Sequence, residues 1–512
     1  MLKMMSAALL LACTSAGQAQ VQPASPAPQE SILTRIEHMG PSLDPIFQRY
    51  MADSHVPGLV YGIVADGRLA YVQSMGNRTL DAGASVTPET LFRIASMSKA
   101  FTALAILKLR DEGRLRLDAL AEEYVPELRN WRYPTSDSPR IRVRDLLSHV
   151  AGFVTDDPWG DRQTPLPEAE FSAMLRAGVP FTRAPDTAFE YSNLGFALLG
   201  RIVSNVSGRR YEDYIRDEIM RPLGMDSTGY DVFAARQERR AFGYRWENDG
   251  FVRERDMADG AFGAMGGVQT NARDYARWVA FLLSAWPARD GPETGPVRRS
   301  TVRELAQGLN FVQVGRRPGP AGEGTCPQAA AYGMGMRVAQ DCDLGLTLAH
   351  GGGYPGYGSY ILLLPERGVG LFAFANRTYA GPSAPIWQAA LALHGADLLG
   401  LRTLPVSEAL ARAYTAASAM IRTGSIEPGR NLLAMNFLMD RSAENWAREF
   451  ARLRESVGEC APDPRIVATG ALSGQFDWAC ERGRLTGTLL LAPTNPATIQ
   501  ALRLNPAPTT LH

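Results

Sequence analysis

The placement of the strand patterns constrains this chain most. Residues 58–65 run apolar and β-prone, Asp66-Gly67 is a two-residue hairpin signal, and 69–74 read as the returning strand. The pattern then stops. It resumes at 332–338 and 344–349, and again at 358–364 and 369–375 on either side of the turn Pro365-Glu366-Arg367-Gly368. Between the two groups lie helical and loop patterns, among them 96–111, 194–207 and 272–283, while 293–324 read as irregular surface. Helices are also expected over 32–51 and 385–398. Strands that open and close a domain, with helices between them, predict an α/β (α+β) fold. Its antiparallel sheet is drawn from both chain ends, flanked by helices, with a helical insertion beside it.

Domain organisation follows from the same patterns. Residues 1–19 read as an export signal: Lys3 is basic, 4–12 are apolar, and Gly17-Gln18-Ala19 fits a cleavage site. Leu10-Leu11-Ala12-Cys13 offers lipoprotein processing as a lesser alternative. Residues 20–31 form a linker, 32–400 the main domain, and 405–512 a small α+β domain with three strand patterns, at 466–472, 476–481 and 484–492, and without a catalytic constellation. An exported protein is periplasmic or secreted, and no transmembrane segment is expected in the mature chain. Lys+Arg and Asp+Glu each number 53, which argues against a nucleic-acid partner.

Past the signal, Cys326, Cys342, Cys460 and Cys480 fall as two local pairs, suited to an oxidising compartment. The pairing Cys326–Cys342 and Cys460–Cys480 is one of three that four cysteines allow. A zinc site is the weaker alternative, because the chain has no C-x-x-C and no histidine at ligand spacing beside them. No metal or other cofactor is expected.

Three short stretches carry the chemistry. Ser96-Met97-Ser98-Lys99 places a hydroxyl and an amine one helical turn apart. The chain has only three lysines, Lys3, Lys99 and Lys108, and uses arginine for nearly every other cation. Arginine keeps its proton near neutral pH, whereas a buried lysine can release one and serve as a base. Tyr191-Ser192-Asn193 precedes a helix. A Tyr191 tyrosinate is a second candidate base, provided the phenol's pKa falls from about 10 to near neutral. His350-Gly351-Gly352-Gly353 interrupts the strand pattern and offers backbone N–H groups near a substrate, with His350 as a weak, pH-dependent attractor for a substrate carboxylate. Rival readings fail: the chain has no G-x-S-x-G, no H-E-x-x-H, and His149 beside Ser148 is expected to be structural.

Ser96-x-x-Lys99, Tyr191-x-Asn193 and His350-x-Gly352, in that order, resemble the three motifs of the serine β-lactamase and penicillin-binding superfamily. The resemblance is nearest to class C β-lactamases, D-alanyl-D-alanine carboxypeptidases, D-aminopeptidases and related esterases, and covers about residues 40–395. It implies a covalent acyl-enzyme on Ser96, with Lys99 as base and Tyr191 sharing proton transfer. Asn193, His350, Gly352 and Gly353 would form the substrate-binding set, with the backbone N–H groups of Ser96 and Gly353 as the oxyanion hole. His350-Gly351-Gly352 stands where β-lactamases of that class usually carry Lys-Thr-Gly. The departure favours an ester or a D-amino-acid amide or peptide over antibiotics. A slowly turning-over penicillin-binding or sensing protein and a true β-lactamase are the alternatives.

Overall fold

The computed structural model describes residues 30–318, 325–462 and 465–508. The expected signal segment 1–19, with Cys13, and nearly all of the 20–31 linker lie outside the described residues.

The main sheet is antiparallel. Its strands are β1 (Gly58–Ala65), β2 (Arg68–Thr79), β3 (Ala84–Ser85), β4 (Asn310–Pro318), β5 (Thr325–Tyr332), β6 (Arg337–Asp341), β7 (Gly345–Tyr354), β8 (Tyr357–Leu364) and β9 (Val369–Ala375). Their order is β3-β2-β1-β9-β8-β7-β6-β5-β4. The two halves of the chain meet where β1 pairs with β9, Leu59 opposite Ala375. Every residue of both strands is buried, so each reads as a continuous apolar run. Successive side chains go to opposite faces. Leu59, Tyr61 and Ile63 pack with α1 (Ile32–Asp53) and a late helix, Ser383–Gly395. Val60 and Val64 join the larger core formed with α2 (Lys99–Asp111), α3 (Asn193–Ser207) and α4 (Ala272–Leu283).

Residues 404–504 supply a separate core that includes Leu410, Met420, Phe450, Phe476 and Trp478. Helices Glu408–Thr423 and Ala443–Val457 belong to this unit, as does a sheet in which Ser473–Cys480, Gly483–Ala492 and Thr498–Pro508 are successive neighbours. Disulfides join Cys326 to Cys342 and Cys460 to Cys480, the expected pairs. Among the described residues no helix is long and apolar enough to cross a membrane.

The structure corrects four expectations. β7 runs straight through His350–Gly353, because pairing of Gly352 with Ser359 and Gly353 with Gly358 supplies the ladder that glycine's low strand propensity does not advertise. Residues 333–336 are a turn between β5 and β6 rather than strand. The stretch read as irregular contains helix Arg299–Glu304 and β4. β4 is the last strand of the sheet, and with Phe311 and Val314 exposed it lacks a core-facing alternation. The C-terminal unit has a further long strand, Thr498–Pro508, whose prolines and polar residues masked it.

Candidate active site

Ser96 sits in a single 3-10 turn, Ala95–Ser98, that leads directly into α2. Ala95 holds a left-handed backbone, φ 49°, which an L-residue adopts only at a cost. Several anchors keep the turn in place. Ser359 Oγ on β8 donates to the Ile94 carbonyl at 2.7 Å, the Ile94 N–H donates to the Val268 carbonyl at 3.0 Å, and the Val268 N–H donates to Ser98 Oγ at 3.1 Å. Gly352 explains how β7 approaches so closely: a Cβ there would lie 2.3 Å from the Ile94 oxygen. β6 pairs with β7 only as far as Arg337 opposite Ala349. Beyond Ala349 that edge of β7 has no strand partner among the described residues, and Gly352 meets the Ile94 carbonyl and Ala95 instead.

Lys99 is wholly buried. Its Nζ lies 3.0 Å from Ser96 Oγ, 2.7 Å from Asn193 Oδ1 and 2.9 Å from the Met265 carbonyl. Burial pulls its pKa from 10.5 down to about 8, while Asp157, Asp161 and Asp156 hold it up. The partners decide what the neutral amine does. The Asn193 and Met265 oxygens only accept, so they take its two N–H groups, and its lone pair is left to the Ser96 hydroxyl. The orientation of Asn193 is fixed in turn, because its amide nitrogen donates to Asp157. Asp156 accepts from the N–H groups of Asn193 and Leu194 at 2.6 and 2.9 Å, capping the start of α3. Gly160 lets this acidic segment rest on Asn193, whose Cβ would be 2.7 Å from any Cβ at that position. Asp161 accepts from Tyr379 Oη at 3.0 Å, and burial, with Asp157 nearby, raises its pKa to about 7.

Tyr191 is half-buried, with its ring centroid 4.8 Å from Lys99 Nζ. Burial raises its pKa well above the ordinary value, with Tyr332 and Asp157 adding to the rise. The tyrosinate expected as a possible base is therefore not the resting form; the phenol keeps its proton. His149 holds the segment from behind. Its carbonyl accepts from Glu190 N–H at 2.8 Å, its Nδ1 accepts from Ser192 N–H at 3.1 Å, and its ring lies 4.3 Å from that of Tyr191.

The expectation for His350 is corrected. The residue is buried, and burial, with the Lys99 charge, pushes its pKa to about 3. Its Nδ1 lies 2.6 Å from the Gly351 carbonyl, which only accepts, so Nδ1 carries the proton. Nε2 then accepts from Tyr332 Oη at 2.9 Å. A neutral ring with both nitrogens occupied offers no charge to a substrate carboxylate. Of the other expected residues, Ser96, Tyr191 and Asn193 gather around the Lys99 amine, Gly352 brings β7 against the Ser96 turn, and Gly353 follows it on β7, packed against Tyr379. Sequence reasoning missed Asp156, Asp157, Asp161, Tyr332, Ser359 and the Met265 carbonyl. The adjacent pair Asp156-Asp157 carries no spacing rule that points to a lysine decades of residues away.

The sequence pattern of the Beta-lactamase family matches residues 43–396, most of the chain. This chain belongs to the Beta-lactamase family. The family comprises serine hydrolases and penicillin-binding proteins, some of them non-catalytic. The chain is 28% identical over 337 residues to Protein flp of Staphylococcus aureus (strain COL), which covers 65% of this chain and 62% of that protein, so it spans under two thirds of that relative's length. Its fold is similar to that of the octameric penicillin-binding protein homologue from Pyrococcus abyssi, with a TM-score of 0.59 and 22% identity over 91% of this chain and 99% of the other. A class C β-lactamase is similar with a TM-score of 0.55 and 21% identity, over 71% and 98% of the two chains.

Proposed function

We propose that this Beta-lactamase-family protein is an exported hydrolase that forms an acyl-enzyme on Ser96. The observation that carries the reading is the Lys99 amine, buried, drawn to a pKa of about 8 and 3.0 Å from Ser96 Oγ. The neutral amine takes the Ser96 proton as Oγ attacks the substrate carbonyl. The Ser96 and Gly353 N–H groups receive the oxyanion, each such donor being worth about 3–4 kcal/mol in other hydrolases. Tyr191, protonated and beside Lys99, gives its proton to the leaving oxygen or nitrogen and recovers one from the Lys99 ammonium. Water then attacks the acyl-enzyme, loses its proton to the same relay, and Ser96 leaves with a proton restored.

The substrate is an ester or a D-amino-acid amide or peptide. Support comes from His350, a neutral, internally bonded ring at the position where the family motif of true β-lactamases carries a lysine. Export is supported by the two disulfides. Labelling with a fluorophosphonate and a fluorescent penicillin, followed by turnover of p-nitrophenyl esters, D-alanyl peptides and a cephalosporin, tests the reading. Label on wild type, none on Ser96→Ala, and ester or D-alanyl turnover are expected. Equal label on Ser96→Ala removes the nucleophile; label without turnover makes the protein a penicillin-binding or sensing protein instead.

A further inference from the structure

A cavity of about 430 Å³ adjoins the Tyr191–Asn193 segment, with Ser192 and Leu194 in its wall. Ser192 is extended, φ −139° and ψ 127°, so its side chain points opposite to those of its two neighbours, which face Lys99. Phe153, Val154, Trp159, Met174 and Val179 make most of the wall hydrocarbon. Two features set the cavity apart from a packing gap. Val154 and Trp159 are 51% and 50% exposed, so apolar surface of the wall stands open to water. Ser192 is only 3% exposed, yet its hydroxyl has no hydrogen-bond partner among the described residues. A buried hydroxyl is normally satisfied, and a ligand atom would satisfy this one.

The charge of the wall selects the ligand. Asp156 and Asp157 line the cavity, and no basic side chain does so among the described residues. Asp156 is committed to the start of α3, whereas Asp157 is exposed and holds the Asn193 amide with one oxygen. We propose that this cavity binds an apolar primary amine, with its alkyl or aryl chain against Val154, Trp159 and Val179 and its ammonium on Asp157 and the Ser192 hydroxyl. The indole face of Trp159 adds attraction for the cation. Because Asp157 also orients Asn193, an occupant of the cavity touches the lysine relay through one shared carboxylate. The amine arrives either as an arm of the substrate or as a separate molecule.

Calorimetry on the Ser96→Ala protein tests the site without any turnover. With 4-phenylbutylamine as probe, one-to-one binding is expected, about tenfold tighter than with 4-phenylbutanol, which lacks the charge. Val179→Phe, which fills the cavity, and Asp157→Asn should each weaken it by about tenfold. Trp159→Ala, at an exposed position, serves if Val179→Phe does not fold. No binding, equal binding of amine and alcohol, or affinity untouched by these variants overturns the proposal. Wild-type kinetics then distinguish the sources. If the amine inhibits hydrolysis of the p-nitrophenyl ester of D-phenylalanine but not that of p-nitrophenyl acetate, the group is a substrate arm. If it changes kcat for p-nitrophenyl acetate, it is a separate ligand. A wild type without turnover leaves the calorimetric result standing, so failure of this site and failure of the hydrolase reading are told apart.

Discussion

The cleft around Ser96 and the unit built from residues 404–508 bury different things. The cleft buries Lys99, His149, His350, Asp156 and Asp161, and moves the pKa of each. The C-terminal unit buries Leu410, Phe450, Phe476 and Trp478, and leaves pairs such as Arg430–Glu427 and Arg484–Asp477 in water. Exposed pairs contribute little, so that unit is held by apolar packing and its disulfide. Buried ionisable groups oppose folding, and a fold retains them where chemistry needs a shifted pKa. One region is built for stability, and the other spends stability on a reactive lysine.

The contrast breaks most sharply at Lys99. Lys99→Arg keeps the charge and loses the base, so acylation by a fluorophosphonate should slow by about 10³-fold. Retention of most of the rate would show that the lysine is only a cation. The opposite behaviour is expected across the divide. Replacing Cys460 and Cys480 by serine opens a loop of 20 residues and should cost about 3 kcal/mol. Denaturant melts of the C-terminal unit read that loss, while labelling of Ser96 in buffer stays unchanged. A parallel fall in labelling would join the two regions.

Gly352→Ala probes the approach of β7 to the Ser96 turn. The new methyl meets the Ile94 carbonyl at 2.3 Å, so the turn must shift, and kcat/KM should drop by about 10²-fold. Normal activity would mean that this contact is not needed for geometry. The smallest effect is a displacement. Asp157 raises the Lys99 pKa, so Asp157→Asn lowers it and moves the ascending limb of the acylation pH profile to lower pH, by less than about one unit. An upward move would reverse the assigned sign. His350 is neutral above about pH 3, so it should add no step of its own to the wild-type limb between pH 5 and 7.

Much of the fold was legible because β1, β8 and β9 carry long apolar runs bounded by turn residues. β7 was half legible: 344–349 read as strand, but pairing alone carries it through three glycines. Ser96, Lys99, Tyr191 and Asn193 stood out because each lies in a short local motif. The direction of the Tyr191 and His350 pKa shifts did not, because burial is a property of packing between segments far apart in sequence. Asp157 shows the same limit: its meaning depends on where the Asn193 amide points.

The proposed chemistry requires Lys99 to be a neutral-capable amine rather than a surface cation. The chain's three lysines make it directly measurable. With lysine labelled at 13Cε, and the resonance assigned by its loss in Lys99→Arg, a pH titration reads this one amine. The expected midpoint is at about 8, below the ordinary 10.5, with the base form growing as pH rises through it. A midpoint at or above 10.5 would contradict it.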